Sequence, residues 1–207
     1  MKGIELTNSG KKENRREHDF YPTPPDVTTA LMDFLDLDIS KIWEPACGNG
    51  AMSSVIESYG HEVISSDLRD SGYGKGGIDF LLTQPYQCDA IITNPPFNIS
   101  ESFIRHALSI APVVAMVLKS QYWHAARRLQ LFAECPPAWI LPLTWRPDFL
   151  FDTRSPGEKS APTMDCIWAV WIAGDTDTKY RPLQKPPRIV DLAPVVFAQA
   201  SIFDGAS

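Results

Sequence analysis

The chain has 207 residues, of which 44% are apolar, 21% charged and 11% aromatic, a composition typical of a globular protein with one compact domain or two small ones. Its formal net charge of −6 disfavours a protein that coats nucleic acid through its whole surface, although a local basic groove stays open. The longest apolar run, residues 110–118, is less than half of the roughly 20 residues that cross a bilayer. No apolar block follows the N-terminus, so we expect no secretory signal.

The cysteines and histidines show no spacing typical of metal sites. The four cysteines lie far apart, without a C-x-x-C pair, and the histidines show no H-x-x-x-H pair. We therefore expect neither zinc nor disulfide bonds, and we predict a reduced, metal-free, cytoplasmic protein.

The first 18 residues mix basic and acidic side chains with almost no large apolar ones. Such a segment buries too little surface to order itself, so residues 1–18 are predicted to be a flexible N-terminal arm. The alternative is a basic arm that contacts phosphates.

The ordered part is predicted to begin with a helix, for which Thr23 is the expected N-cap and prolines occupy the first turn. A strand over residues 41–45, a glycine turn, and a helix over 51–59 follow. The next strand, residues 62–67, ends at Asp67, and a glycine-rich loop (72–77) leads to residues 78–82.

A third strand over residues 88–93 runs directly into Asn94-Pro95-Pro96-Phe97. Then follow a helix (100–110), a strand (113–119), a helix (122–134) and two late strands (139–145 and 166–172). The proline-rich segment 175–207 is predicted to be an extended tail. Strands alternating with helices indicate a mostly parallel sheet with helices on both faces, and ligands bind such sheets at the carboxyl ends of the strands.

The glycine turn, Asp67 and the tetrapeptide all follow predicted strands, which predicts a single site. Glycines such as Gly48 and Gly50 also serve tight packing alone, and the turn matches neither a dinucleotide fingerprint nor a P-loop. An acid at the end of the second strand, however, is where nucleotide folds hold ribose hydroxyls.

The tetrapeptide Asn94-Pro95-Pro96-Phe97 suits chemistry on an aromatic amine. The Asn94 amide oxygen and the Pro95 carbonyl can each accept one amine hydrogen, which aims the nitrogen lone pair without a general base. Two prolines stiffen the turn, and Phe97 can stack on a base swung out of its helix.

With these motifs the chain resembles the S-adenosylmethionine-dependent amino-methyltransferases, most closely small phage- or prophage-type DNA adenine-N6 methyltransferases, over about residues 20–173. The resemblance implies an α/β fold with a Rossmann-like, seven-stranded methyltransferase sheet, mostly parallel and ending in an antiparallel hairpin. It also implies S-adenosyl-L-methionine as the cofactor and a methyltransferase domain over residues 19–174.

The resemblance assigns roles by motif. The cofactor loop is Glu44, Pro45, Ala46, Cys47, Gly48 and Gly50, whose glycines let the backbone approach the methionine portion. Asp67 and the adjacent Leu68 lie at the ribose, Asp79 accepts from the cofactor's adenine amine, and Phe80 stacks on that ring. Tyr21, Thr23 and Pro24 close over the methionine carboxylate. The catalytic residues are Asn94, Pro95, Pro96 and Phe97, and Asn94 also borders the cofactor.

The expected substrate is the N6 amine of adenine in duplex DNA. Carbon-5 cytosine methylation is disfavoured because no Pro-Cys pair occurs, and Cys47 is interpreted as a packing residue. A loop near residues 145–163 is predicted to contact the target through Arg146, Arg154 and Lys159, and Phe149 or Phe151 either covers the base or is core.

Four alternatives stay open for the substrate and the activity. One is methylation of cytosine N4, although Asn rather than Ser before Pro-Pro favours adenine. The others are methylation of an RNA base amine, methylation of a protein glutamine amide, and a non-catalytic cofactor-binding module. Because no separate recognition domain fits in the chain, we expect short or relaxed sequence specificity. A homodimer is the alternative source of recognition surface.

Overall fold

A computed structural model of the chain describes residues 21–153 and 162–187. The predicted arm, Arg154, Lys159 and residues 188–207 lie outside these ranges. The helices are α1 (Pro25–Met32), α2 (Ala51–Ser58), α3 (Ser100–Leu108) and α4 (Leu129–Glu134). The strands are β1 (Lys41–Glu44), β2 (Glu62–Ser65), β3 (Ala90–Thr93), β4 (Val113–Lys119), β5 (Trp139–Pro142), β6 (Cys166–Ile172) and β7 (Lys179–Tyr180).

The strands form one seven-stranded sheet in the order β2-β1-β3-β4-β6-β5-β7. Strands β1 to β4 are mutually parallel, β6 is antiparallel to both β4 and β5, and β7 is parallel to β5. This arrangement confirms the predicted Rossmann-like sheet, mostly parallel with an antiparallel pair near the C-terminus.

The two faces of the sheet carry separate cores. Along β4, Val113, Ala115 and Val117 face a cluster that includes side chains of α1 and α2, whereas the alternate residues face a cluster with α3 and α4. Burial on both faces explains why β4 and β6 are continuous apolar runs. A hydrogen bond also joins α1 to the sheet: the Trp168 indole N–H donates to the Val27 carbonyl at 2.9 Å.

Several local predictions differ from the structure. The single helix expected over residues 122–134 is two 3-10 helices (Ser120–His124 and Ala126–Arg128) followed by α4, because Ala125 between them is extended, with φ −99° and ψ 113°. Strand β5 ends at Pro142 rather than at residue 145. Helix α1 has Pro24, not Thr23, at its N-cap.

The described part of the predicted C-terminal tail lies against the sheet. Its residues Lys179 and Tyr180 form β7 at the edge beside β5, and Leu183 is buried beyond them. None of the helices in residues 21–153 and 162–187 combines the length and apolar character that a bilayer span needs. Because β1, β3 and β4 are parallel, their carboxyl ends share one edge of the sheet, where the candidate site lies.

Candidate active site

A cavity of about 720 Å³ opens at the carboxyl ends of β1, β2 and β3. This volume lies within the range of roughly 300–1,000 Å³ that is typical of small-molecule sites. Its walls come from residues 21–23, 44–49, 51–52, 67–69, 78–81, 94–99 and 103. The structure thus brings together all the predicted cofactor-binding and catalytic residues except Pro24 and Gly50, which do not line the cavity.

The Asp67 carboxylate holds the glycine turn in place. Its two oxygens accept hydrogen bonds from the backbone N–H groups of Gly48, at 2.9 Å, and Arg69, at 2.8 Å. The side chain is only 5% exposed, and Gly48 has a positive φ of 52°. Asp67 therefore fixes the shape of the cavity wall, in addition to the ligand contact predicted for it.

Gly50 leaves room for the aromatic ring of Tyr73. Its φ is +80°, and a Cβ placed there would lie 2.4 Å from the Tyr73 ring. From the sequence, Gly50 is predicted either to let the backbone approach the methionine portion or to serve tight packing alone. Tyr73 occupies the space that a side chain at residue 50 would need, which supports the packing alternative.

Glu44 is a buried carboxyl group in the floor of the cavity. It accepts a hydrogen bond from the Ser53 hydroxyl, which lies 2.7 Å from the Ser65 hydroxyl. Burial raises the pKa of Glu44 to about 8, against the lowering effect of the Ser53 hydrogen bond. A large share of this group is therefore protonated at neutral pH, and a cationic group bound beside it would favour its ionised form.

Cys47 is a buried thiol in the same loop. Burial, followed by the charges of Glu44 and Asp67, raises the pKa of Cys47 to about 12. The thiol is thus protonated at neutral pH, which agrees with its interpretation as a packing residue rather than a nucleophile.

Asp79 and Phe80 form another wall. An Asp79 carboxylate oxygen accepts the backbone N–H of Leu81 at 2.9 Å. Phe80 is 2% exposed, and its ring packs edge-on against Trp43 and tilted against Phe103, with centroids 5.1 and 4.8 Å away. Phe80 is therefore fixed within the core and contributes one side of its ring to the cavity.

Asn94 presents an unpaired acceptor beside the cavity. Its amide nitrogen donates to the Thr23 hydroxyl oxygen at 3.1 Å. Its amide oxygen Oδ1 is buried and has no hydrogen-bond partner in the described residues. A buried acceptor without a partner costs free energy, so a hydrogen-bond donor from a ligand or an ordered water would stabilise this oxygen.

Phe97 closes the turn of residues 94–97, which we call the 94–97 turn. The Lys119 ammonium lies 4.3 Å from the centroid of its ring. The Phe97 carbonyl accepts a hydrogen bond at 3.1 Å from Ser100 at the start of α3. The turn is thus held by the ends of α3 and β4.

The predicted target-contacting residues lie away from the cavity. Phe149 is buried in the core shared with α1 and α2, and Phe151 is 37% exposed in a 3-10 turn. Neither lines the cavity, so the structure supports the core alternative for Phe149. Arg146 forms an ion pair with Asp165 at 2.8 Å, and this pairing raises the pKa of Arg146.

The sequence analysis does not identify the apolar part of the cavity wall. Met52, Ile78, Leu81 and Phe103 line it. Ile78 and Leu81 flank the predicted Asp79-Phe80 pair, a signal that was available in the sequence. Met52 and Phe103 follow ordinary helical periodicity, which does not distinguish a cavity wall from a core.

The comparisons with known proteins agree with this geometry at the level of fold. No family model matches the chain, and no curated protein matches it. Among solved structures it resembles PH1948 from Pyrococcus horikoshii, a proposed RNA methyltransferase, with a TM-score of 0.59 and 17% identity over 75% of this chain and 88% of that one.

Two further solved structures are similar. A dimethyladenosine transferase from Plasmodium falciparum gives a TM-score of 0.52 and 13% identity, covering 74% of this chain and 62% of that one. The 23S rRNA methyltransferase ErmE gives a TM-score of 0.51 and 13% identity, covering 75% and 71%. The chain therefore has the methyltransferase fold.

Proposed function

We propose that this protein transfers a methyl group from S-adenosyl-L-methionine to the exocyclic N6 amine of adenine in DNA. The observation that carries the proposal is the buried, unpaired Oδ1 of Asn94. It lies in an Asn-Pro-Pro-Phe turn that lines a cavity large enough for a nucleoside-sized cofactor. An amide oxygen at this position can accept a hydrogen bond from the amine of a substrate.

The donor set of the cavity fits this cofactor. S-adenosylmethionine carries a sulfonium and an ammonium group, two ribose hydroxyls and an adenine amine, all of which favour carboxylate partners. Glu44, Asp67 and Asp79 line the cavity, and each carboxylate has acceptor capacity beyond its internal hydrogen bonds. When bound, the cofactor would supply an electrophilic methyl group, and the sulfonium S–C bond that breaks would leave a neutral thioether.

The residues of the chain orient the amine. Asn94 Oδ1 and the Pro95 carbonyl each accept one hydrogen of the adenine amine, so its lone pair turns toward the methyl donor. Thr23 holds the other end of the Asn94 amide. After transfer the amine nitrogen releases one proton to water, and no general base is required.

Phe97 supports the target base. Phe97 is half-buried and lies three residues after Asn94 in the same turn, so a base stacked on its ring would have its exocyclic amine near the 94–97 turn. Enzymes that act on a base take it out of the helical stack and bind it between apolar or aromatic surfaces. We assign this stacking role to Phe97.

The DNA assignment rests on the resemblance to DNA adenine-N6 methyltransferases, in which the motif of residues 21–24 and the cofactor loop precede the catalytic tetrapeptide. A second candidate is an adenine amine in RNA. The neighbours described as RNA methyltransferases and as a dimethyladenosine transferase favour this second candidate. The 94–97 turn serves both substrates by the same chemistry.

We further propose that target choice is relaxed. Reading a DNA sequence needs several side chains against base edges, and the described part of the loop near residues 145–163 offers one cation, Arg146, already paired with Asp165. A second copy of the chain is the alternative source of such side chains.

Parallel incubations with methyl-labelled cofactor test the proposal. The substrates are duplex DNA, single-stranded DNA, RNA and glutamine-containing protein, and the modified nucleoside is identified after digestion. We expect N6-methyladenine in DNA. Labelled RNA alone would move the assignment to the second candidate, and labelled protein alone would overturn both.

The matched variant is Asn94→Ala. We expect it to abolish methylation and to leave cofactor affinity within a few fold, because the amide holds the substrate amine. Calorimetry and the methylation assay on the same sample separate the two effects. Activity near the level of the unaltered protein would contradict the mechanism.

A further inference from the structure

A strip of positive charge follows strand β4 beside the 94–97 turn. Lys119 is the last residue of β4, and Arg127 and Arg128 end the second of the two 3-10 helices after it. No aspartate or glutamate occurs between Lys119 and Arg128. We call these three residues, Lys119, Arg127 and Arg128, the basic strip.

Among the cations of the described residues that lack an acidic partner, most belong to the strip. In residues 21–153 and 162–187, six lysines and arginines lie within ion-pair distance of a carboxylate: Lys41, Arg69, Arg105, Arg146, Lys179 and Lys185. The remaining five are the strip, Lys75 and Arg181. Glu134, the next acid along the chain, is bound by Arg105 and Gln130, each at 2.7 Å.

Two sets of contacts join the strip to the 94–97 turn, one of them through Tyr122 and Ser100. The Arg128 guanidinium stacks on the Tyr122 ring, 3.5 Å from its centroid, and donates to the Tyr122 carbonyl at 3.0 Å. The buried Tyr122 hydroxyl lies 3.2 Å from the Ser100 hydroxyl, which holds the Phe97 carbonyl. With Lys119 over the Phe97 ring, both ends of the strip are fixed relative to the turn.

From this geometry we infer that the basic strip binds backbone phosphates of a nucleic acid on the side of the 94–97 turn where the target base enters. The inference rests on the proposed function and adds to it the residues that hold the polymer. An exposed Arg127 and a stacked Arg128 present planar guanidinium groups, which match phosphate oxygens in geometry and charge.

The overall charge makes such a local site necessary. The chain carries a net charge of −6, and Asp67 and Asp79 line the cavity. Both repel a polyanion, so cations close to the turn would favour its backbone there. A glutamine side chain of a protein has no such need, and the strip therefore favours a nucleic-acid substrate.

Binding of a fluorescent, adenine-containing oligonucleotide by the full chain, measured over a range of salt concentrations, tests the inference. Duplex DNA, single-stranded DNA and RNA of the same sequence serve as probes. The variants are Arg127→Gln, which removes an exposed side chain, and the triple change Lys119→Gln, Arg127→Gln, Arg128→Gln. Arg181→Gln is the matched control, because Arg181 is exposed, has no carboxylate partner within residues 21–153 and 162–187, and follows β7 at the far edge of the sheet.

The plot of log K against log salt has a negative slope. We expect Arg127→Gln to reduce the magnitude of this slope by about 0.9 for duplex DNA or about 0.7 for a single strand. The triple variant should lower it further, and Arg181→Gln should leave it unchanged. Equal slopes for Arg127→Gln, the triple variant and Arg181→Gln would overturn the inference.

The proposed function and the inference about the basic strip can fail independently, and each failure gives a different experimental result. Methylation of nucleic acid by the unaltered protein, together with unchanged slopes in the variants, overturns the strip and leaves the function standing. Reduced slopes in a protein that methylates no nucleic acid support the strip and overturn the function. Cofactor affinity, measured by calorimetry, should be the same in all variants.

Discussion

The Asn94 amide nitrogen lies 3.1 Å from the Thr23 hydroxyl oxygen, across 71 positions of the chain. This bond joins the segment before α1 to the turn after β3, and it holds the Asn94 amide in one orientation. With the nitrogen held by Thr23, the oxygen Oδ1 is left as the free acceptor. The orientation of one amide thus depends on a hydroxyl from a distant segment.

Replacing Thr23 with valine removes this acceptor at nearly constant volume. We expect Thr23→Val to reduce the methylation kcat, by up to about 100-fold, because the amide can then rotate and present its nitrogen to the amine. Thr23→Ser should restore most of the rate. Cofactor affinity is measured in parallel, and an unchanged kcat in Thr23→Val would show that the bond does not orient Asn94.

Loss of the Asp67 carboxylate should weaken both the loop and the cofactor site. Asp67→Ala leaves the N–H groups of Gly48 and Arg69 without their acceptor, at a cost of about 1–3 kcal/mol. We expect lower thermal stability and weaker S-adenosylmethionine binding, measured by calorimetry.

Asp79→Ala provides the comparison within the same cavity. It removes the acceptor of the Leu81 N–H and the predicted partner of the cofactor's adenine amine, so its binding loss should also reach about 1–3 kcal/mol. Normal cofactor affinity in both variants would show that the nucleotide site is assigned wrongly.

Glu44 should make the free energy of unfolding depend on pH. Its pKa is about 8 in the folded protein against an ordinary value of 4.5, so between these values the folded state keeps a proton that the unfolded chain releases. Stability should therefore decline as pH rises from about 5 to 8, by at most about 1.4 kcal/mol per pH unit, and level off above that.

The matched variant for this effect is Glu44→Gln, which cannot ionise. Denaturant titrations at several pH values should give a difference between the two proteins that grows in favour of the variant as pH rises through this window. A difference that stays constant across the window would contradict the raised pKa.

Gly50 should tolerate no side chain while Tyr73 is present. Gly50→Ala places a methyl group against that ring and should cost about 1–3 kcal/mol in the free energy of unfolding. Gly60→Ala is the matched control, because Gly60 has a φ of +90° and no atom within 4 Å of the added Cβ. Gly60→Ala should lose only the conformational cost of a side chain at positive φ, about 1–2 kcal/mol.

A double change separates the ring clash from other effects at residue 50. Combining Gly50→Ala with Tyr73→Ala should cost less than the sum of the two single changes, since the second removes the clash. Strict additivity would show that the ring is not what excludes a side chain there.

Those parts of the fold and of the site that depend on the order of neighbouring residues could be predicted from the sequence. Strand β6 has the predicted bounds, Cys166–Ile172, because an apolar run buried on both faces is visible in sequence. The residues that follow β1, β2 and β3 meet at one cavity because strand direction alone determines where carboxyl ends lie.

The remaining features depend on distant contacts. Tyr73 over Gly50, and Thr23 bound to Asn94 instead of capping α1, are pairings that no local spacing encodes. The segment 120–128 has helical periodicity, yet Tyr122 turns inward to Ser100 and Arg128 stacks back on it, which favours two short 3-10 helices. Strand β7 has two residues, too few for an alternating pattern.

The position of β6 has a consequence for biosynthesis. This strand comes late in the chain but lies in the interior of the sheet, between β4 and β5. Until it emerges from the ribosome, the apolar β4 has one open edge with unpaired backbone groups, a surface on which nascent chains associate. A stop codon before residue 166 therefore releases a product that exposes this edge permanently, and chaperone binding during synthesis should be concentrated between the emergence of β4 and that of β6.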